Sequence, residues 1–407
     1  MEVKPVLKYK KSMSDTEGWG RPVTRYSFGM SVLHPENAKP YGAWDHYPQT
    51  PIEPIGYGCY RIWDNDVTWR QIERMKGVFD WSRLDAIVSL LKRNELKPLY
   101  VLGQVPNWAS GGKVEHTRTP SVRYSALPPK SLEDWILYCR AVARRYRGQI
   151  EAYEVWNEFD LPQFWSGTDE QMELLVKTAA DTIRREDPAA QIVSPSVSAN
   201  KGRAFDRLVA LASSQCSSID AIAVHTYNRR RPFDVDLDVQ CLRDMLSGHH
   251  LASVPIWVTE FNDLGNVSDS PSLSAGRVVK SFLCNLCGGA DRAYWWQLGH
   301  PTARSLLVDP KCPAHLTVAG RALATLIKNL SGRSISRIYR SENDCQVILY
   351  RGERVAARIA WCQPGTFSPM KLGARDVAYD ISGRAITPSA ASKLSETPTY
   401  IFEQAGR

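Results

Sequence analysis

The sequence predicts an α/β chain: a closed (β/α)8 TIM barrel followed by a small all-β, sandwich-like domain. Three observations carry that prediction. Short β-branched or aromatic runs alternate with longer amphipathic segments from residue 25 onward for about 300 residues. Eight such runs occur before residue 300. After Asn329 the pattern changes to short runs of period two, separated by Gly, Pro, Ser and Asn, as in an antiparallel sheet. The length of 407 residues suits one barrel of about 250 to 300 residues with a smaller unit attached.

The strand candidates, in order, are Tyr26–Val32, Tyr57–Trp63, Lys97–Leu102, Glu151–Trp156, Gln191–Ser194, Ala221–His225, Pro255–Thr259 and Arg292–Trp296. A 3.6-residue apolar spacing predicts helices over Trp81–Asn94, Leu132–Tyr146, Glu170–Arg185, Arg203–Ser213, Val239–His249, Ser274–Cys287 and Ala314–Asn329. Strict alternation implies parallel strands with helical crossovers, and a count of eight favours closure over an open doubly wound sheet. No G-x-G-x-x-G turn follows any strand, which argues against dinucleotide binding. Beyond the last helix, Ser334–Tyr339, Cys345–Tyr350, Arg354–Trp361, Asp376–Tyr379 and Thr399–Phe402 read as the small sheet. The organisation expected is therefore a segment 1–24 packing on the β-domain, a barrel over 25–330 and the β-domain over 331–407.

Composition narrows the class. Hydrophobic residues at 43% and charged ones at 23% are globular values, which excludes a disordered, collagenous or coiled-coil chain. The net charge of +8 is spread along the chain, with neither a Lys-rich tail nor a nucleic-acid motif, so no nucleic-acid partner is expected. No apolar run reaches the length of a membrane span, and the first residues, MEVKPVLKYKKSMS, lack the apolar stretch of a secretory leader. The compartment stays open between the cytoplasm and, with a leader removed, the periplasm or exterior, and the oligomeric state is equally open. Of nine cysteines only Cys284 and Cys287 lie close together, and no second ligand pair follows them, so most read as small buried hydrophobes and no metal site is expected.

In a (β/α)8 barrel the chemistry lies at the C-terminal strand ends. Strand four ends in Trp156-Asn157-Glu158 and strand seven in Thr259-Glu260-Phe261-Asn262. A lone Glu at a barrel rim reads as an ion-pair partner. Two Glu at these ends face one cavity, and paired carboxylates across a glycosidic bond are the machinery of glycoside hydrolysis.

On the segments GCYRIWD, YEVWNEFDLPQFWSG, IDAIAVHTYN, PIWVTEFN and RAYWWQL, the sequence resembles the retaining glycoside hydrolases of the large barrel clan with catalytic glutamates on strands four and seven. Within that clan it most resembles glycoside hydrolase family 39. The resemblance covers 25–330 as the barrel, with the remainder like the C-terminal β-domain such proteins often carry; it departs at Phe159, where many relatives have Pro. It implies Glu158 as general acid/base and Glu260 as nucleophile, and it matches Arg61, His225, Tyr227 and Trp296 to clan positions.

Residue chemistry points to the same roles. Apolar Trp156 and Phe159, with an anionic partner, suit a proton donor. Tyr227 is placed to donate to Glu260, Arg61 to add positive charge, and the Asn157 amide to reach a sugar 2-hydroxyl. No metal or organic cofactor is needed for such a reaction. Plainer alternatives stand beside these readings: Arg61 as a structural ion pair, and His225 as a satisfied core histidine. Trp295 and Trp296 face opposite ways, with Trp296 expected inside. Trp108, and Trp165 beside Phe164, read equally as sugar platforms or loop anchors.

The substrate is less legible. Arg229, first of three arginines after strand six, suits an acidic polysaccharide or uronic acid unit, although a solvated loop is the favoured reading. The long stretch from Ser110 to Pro129 reads as a cleft wall. The resulting expectation is a retaining hydrolase of β-glycosidic bonds in a poly- or oligosaccharide, endo-acting on a bacterial exopolysaccharide. The alternatives are an exo-acting β-xylosidase or iduronidase-like glycosidase and, ranked lower, a non-catalytic carbohydrate-binding protein.

Overall fold

The computed structural model describes residues 22–31, 55–63, 65–111, 126–198, 202–227, 234–262, 270–296, 307–309, 312–363, 365–370, 372–387 and 393–403. Eight parallel strands form the barrel: β1 (Phe28–Ser31), β2 (Cys59–Ile62), β3 (Lys97–Leu102), β4 (Ala152–Val155), β5 (Gln191–Val193), β6 (Ile222–His225), β7 (Ile256–Phe261) and β8 (Arg292–Trp296). Their order around the sheet is β5-β4-β3-β2-β1-β8-β7-β6. Parallel bridges Val193–Ala221 and Ser198–His225 join the two ends, so the ring closes. At that seam the Ser194 hydroxyl accepts from the Ala223 amide at 2.9 Å, a side chain standing in for a ladder carbonyl.

Period-two alternation decides what fills the barrel. Cys59, Leu99, Ala152, Val193, Ala221, Ala223, Trp257 and Tyr294 pack together as an inner cluster separate from the main core. Gly29 belongs to this layer by necessity, because a Cβ there would lie 2.2 Å from the Tyr294 ring. Two residues further along the same strands stand Arg61, Glu154, His225, Thr259 and Trp296, so the face that is apolar low in the barrel becomes polar at its C-terminal mouth. The opposite strand faces join the helices in one extensive core.

The surrounding helices are α1 (Trp69–Ile72), α2 (Ser82–Arg93), α3 (Leu132–Arg145), α4 (Asp169–Glu186), α5 (Gly202–Ser214), α6 (Val235–Gly248), α7 (Pro271–Gly288) and α8 (Val318–Leu330). Their ends follow from capping: Thr168 and Gln171 form a capping box on α4, and Ser270 caps α7 with Pro271 at the first turn. The helix expected over Ala314–Asn329 begins only at Val318. Thr317 caps it there by accepting from the Gly320 amide, and Cys312–Leu316 is instead a strand, β10, paired with β9 (Val308–Asp309). The short α1 has no counterpart in the sequence reading.

The C-terminal sheet uses β11 (Ser334–Ile335), β12 (Tyr339–Arg340), β13 (Asp344–Arg351), β14 (Arg354–Cys362), β16 (Asp376–Tyr379), β17 (Ala385–Ile386) and β19 (Thr399–Glu403), all antiparallel. A separate two-stranded piece pairs β15 (Ser368–Pro369) with β18 (Lys393–Leu394). The single strand expected over Ser334–Tyr339 is two short strands, both laid on β13. The sheet is tied to the barrel by Arg340, whose two terminal nitrogens lie 2.9 and 2.6 Å from the Asp236 carboxylate on α6, and by Lys280 of α7 donating to the Glu396 carbonyl at 3.0 Å. Val23 exchanges backbone hydrogen bonds with Gly332 and Arg333; residues 1–21 lie outside the described residues. Among the described residues six cysteines are buried and Cys216 and Cys241 are exposed, and no helix is long and apolar enough to cross a membrane.

Candidate active site

The polar mouth of the barrel is organised around one guanidinium. Arg61, wholly buried, donates from Nε and Nη2 to the two carboxylate oxygens of Glu154 at 2.8 and 2.9 Å, from Nη1 to Glu260 Oε2 at 2.8 Å, and from Nη2 to Asn157 Oδ1 at 2.7 Å. A guanidinium has only donors, so the Asn157 oxygen must face it and the amide nitrogen must face away. Glu154 adds a weak contact from the Thr259 hydroxyl at 3.4 Å. Sequence reading missed Glu154; a charged residue flanked by apolar ones in the middle of a barrel strand was the available signal.

Both Thr259 and Glu260 turn inward, although consecutive strand residues normally face opposite ways. A bulge in β7 does this: Val224 pairs with Val258 but His225 with Glu260, and the β7–β8 register also shifts between Val258 and Phe261. Glu260 consequently receives Tyr227 as well as Arg61. The Tyr227 hydroxyl donates to Oε1 at 2.8 Å, so each carboxylate oxygen has its own donor. Burial, reinforced by the Glu260 charge, pushes the Tyr227 hydroxyl well above the usual tyrosine range and keeps it a donor.

Glu158 stands on the turn after β4, with φ of +43°, two residues after Trp156 with φ of +92°. Such backbone is costly for residues with a Cβ and persists only where neighbours hold it. The Trp156 indole donates to the Phe164 carbonyl at 2.8 Å and packs edge-on against Trp165, while Gly103 lets its ring lie where a Cβ would be 2.9 Å away. The Glu158 carboxylate meets His225 of β6, Oε1 to Nδ1 at 2.9 Å. Burial works against the charged imidazole, but the Glu260 and Glu158 carboxylates outweigh it and hold His225 above the usual histidine range.

The remaining candidates divide. Trp295 packs on Phe282 of α7 and on Phe261, whereas Trp296 is half-buried beside Tyr227, ring centroids 6.3 Å apart and planes at 89°. Asn262 donates to the Trp296 carbonyl. The structure places Trp165 in the core, its ring against Trp156 and Gly167 and its nitrogen on the Thr168 carbonyl, which is the loop-anchor alternative. Trp108 is half-buried, donates to the Glu73 carbonyl at 2.8 Å and stands edge-on to Trp69. Arg61 and His225, which the sequence matches to clan positions, are both fully buried and touch the glutamates. Arg229 and residues 112–125 of the expected cleft wall lie outside the described residues.

The family model described as glycosyl hydrolases family 39 matches residues 23–268. The β-xylosidase of Geobacillus stearothermophilus is 22% identical over 245 residues, which are 52% of this chain and 47% of that protein; the chain thus spans about half the length of the curated relative it matches. Among solved structures, a family 39 glycoside hydrolase from the gut symbiont Bacteroides cellulosilyticus WH2 superposes with a TM-score of 0.71 at 14% identity, covering 93% of this chain and 81% of that one. A family 39 β-xylosidase from Caulobacter crescentus gives 0.63 at 16%, covering 94% and 97%. These structures share the fold, a barrel with a β-domain. The family match takes in more than half of the chain, both glutamates and their side-chain partners Arg61, Tyr227 and His225, and on it the chain belongs to glycosyl hydrolase family 39.

Proposed function

We propose that the protein is a retaining O-glycosyl hydrolase of β-glycosidic bonds, with Glu260 as nucleophile and Glu158 as general acid/base. The observation that carries this reading is the unequal treatment of the two carboxylates. Glu260 is fixed through both oxygens by Arg61 and Tyr227, as a nucleophile aimed at one atom requires. Glu158 is held through one oxygen by an ionisable imidazole, as a group that must give and take a proton requires.

In the first step a Glu260 oxygen bonds to the anomeric carbon while Glu158 protonates the departing glycosidic oxygen, leaving a covalent glycosyl-enzyme. In the second, Glu158 takes a proton from water as that water attacks the same carbon and Glu260 leaves. Two inversions give retention, and the carboxyl separation expected of such a pair is roughly 5 to 5.5 Å. The Asn157 amide nitrogen, turned away from Arg61, is available to a sugar hydroxyl, and the half-buried Trp296 ring offers a flat apolar face.

For the substrate we infer an acidic or neutral bacterial exopolysaccharide cut internally; the length of the segment between Ser110 and Pro129 supports an extended groove. A second reading, an exo-acting β-xylosidase, is favoured by the names of the Geobacillus and Caulobacter relatives. A panel of aryl β-glycosides and bacterial polysaccharides, assayed with wild type and Glu260→Gln by reducing-end release and product size, separates them. Oligosaccharides from a polymer support endo action, and release from aryl xylosides alone supports the exo reading. Sugar binding without turnover in wild type would overturn hydrolysis.

A further inference from the structure

The strip Ser194–Ser198, after β5, lies between the turn that carries Glu158 and the strand that carries His225, and it is bonded to both. Beyond Glu154 and Val193 the β4–β5 ladder stops. From there Ser196 takes over: its amide donates to the Trp156 carbonyl at 3.2 Å, its hydroxyl accepts from the Glu158 amide at 3.0 Å, and its carbonyl accepts from the Phe159 amide at 3.1 Å. The next residue, Val197, accepts from the His225 amide at 2.8 Å. Adjacent residues thus hold the main chain on both sides of the Glu158–His225 contact.

The hydroxyl bond is the one that regular structure does not supply. With φ of +43°, the Glu158 amide points out of the ladder direction, and an acceptor has to reach it from the side. Ser196 is wholly buried, so water cannot take that place when the hydroxyl is removed. Further along, Ser198 fixes Asp160 by donating from its amide and hydroxyl at 3.0 and 2.7 Å, so the strip braces the turn a second time after the critical bond.

We propose that Ser196 is a positioning residue for the proton-transfer role of Glu158: its hydroxyl holds the strained peptide that aims the acid/base, while leaving the nucleophile untouched. This rests on the hydrolase reading above. Its consequence is selective. A leaving group that departs without a proton does not need an aimed Glu158, whereas one that departs only when protonated does.

The test is kcat/KM of wild type and Ser196→Ala on a series of aryl β-glycosides of whichever sugar the wild type hydrolyses, from 2,4-dinitrophenyl to unsubstituted phenyl. The loss is expected to be on the order of tenfold or more with phenol and under about twofold with 2,4-dinitrophenol. Because both ends of the series are read on one preparation, a partly unfolded variant cannot imitate the slope. Should Ser196→Ala not fold, Ser196→Cys keeps the side-chain shape, somewhat enlarged, with a weaker acceptor, and the same selectivity is expected. Equal loss across the series, or none, overturns the positioning role and leaves the hydrolase reading standing. A wild type silent on every sugar overturns the hydrolase reading, and this role with it.

Discussion

Arg61 of β2 and Glu260 of β7 form a 2.8 Å ion pair across the barrel mouth, and the guanidinium has no solvent exposure at all. Its other side is occupied by Glu154, equally buried, so one cation answers two carboxylates. Replacing Arg61 by Met strips the buried Glu154 carboxyl of its cation, a situation that costs about 3–5 kcal/mol. Chemical denaturation of Arg61→Met should show a loss of that size together with loss of turnover. A variant of wild-type stability would mean that the pair does not hold the barrel mouth together.

Tyr227 acts on the same carboxylate through a neutral donor. On the proposed mechanism, in which the bond from its hydroxyl orients Glu260, Tyr227→Phe should lower kcat by roughly ten- to a hundredfold, about 1.4–2.8 kcal/mol, with KM little changed. Steady-state kinetics check it; a rise in KM at constant kcat would instead make Tyr227 a plain binding contact.

The His225–Glu158 contact makes a pH prediction about stability. A histidine held above its unfolded value of about 6.5 stabilises the fold fully below that value, and its contribution is lost as pH rises through the folded one. The stability difference between wild type and His225→Asn should therefore shrink as pH is raised from 6 toward 8, in denaturation curves at matched ionic strength. A difference that grows over this interval would show that the imidazole is held neutral.

Much of this architecture is written in the sequence, and the exceptions share a cause. The strands carrying Arg61, His225 and Trp296 announce themselves by aromatic and β-branched runs, and Glu158 and Glu260 by their place at strand ends. Glu154 announces itself only as a charge between Tyr153 and Val155 of EAYEVW, and only the closed ring places Arg61 across from it. The β7 bulge is a property of register between three strands, and no local spacing encodes it. Ser196 sits in SPSVS, which reads as a loop, because its partners are fixed by backbone direction. The false start of the last helix arose because apolar spacing runs back through Ala314 and Leu316, where the Thr317 cap and pairing with β9 prevail.

Gly103 supports the site from beneath. It adopts φ of +129° and leaves room for the Trp156 ring, so Gly103→Ala brings both backbone strain and a contact of 2.9 Å. A loss of about 1–3 kcal/mol in thermal or denaturant unfolding is expected. Unchanged stability would show that the Trp156 turn can move without cost.

The most direct test of retention with Glu260 as nucleophile is the anomeric configuration of the first-formed product, followed by proton NMR on whichever β-glycoside the wild type hydrolyses, with Glu260→Gln as control. The β anomer should appear first and then mutarotate, with no product from the variant. An α anomer appearing first, or hydrolysis persisting in Glu260→Gln, would contradict the double displacement assigned to Glu260 and Glu158.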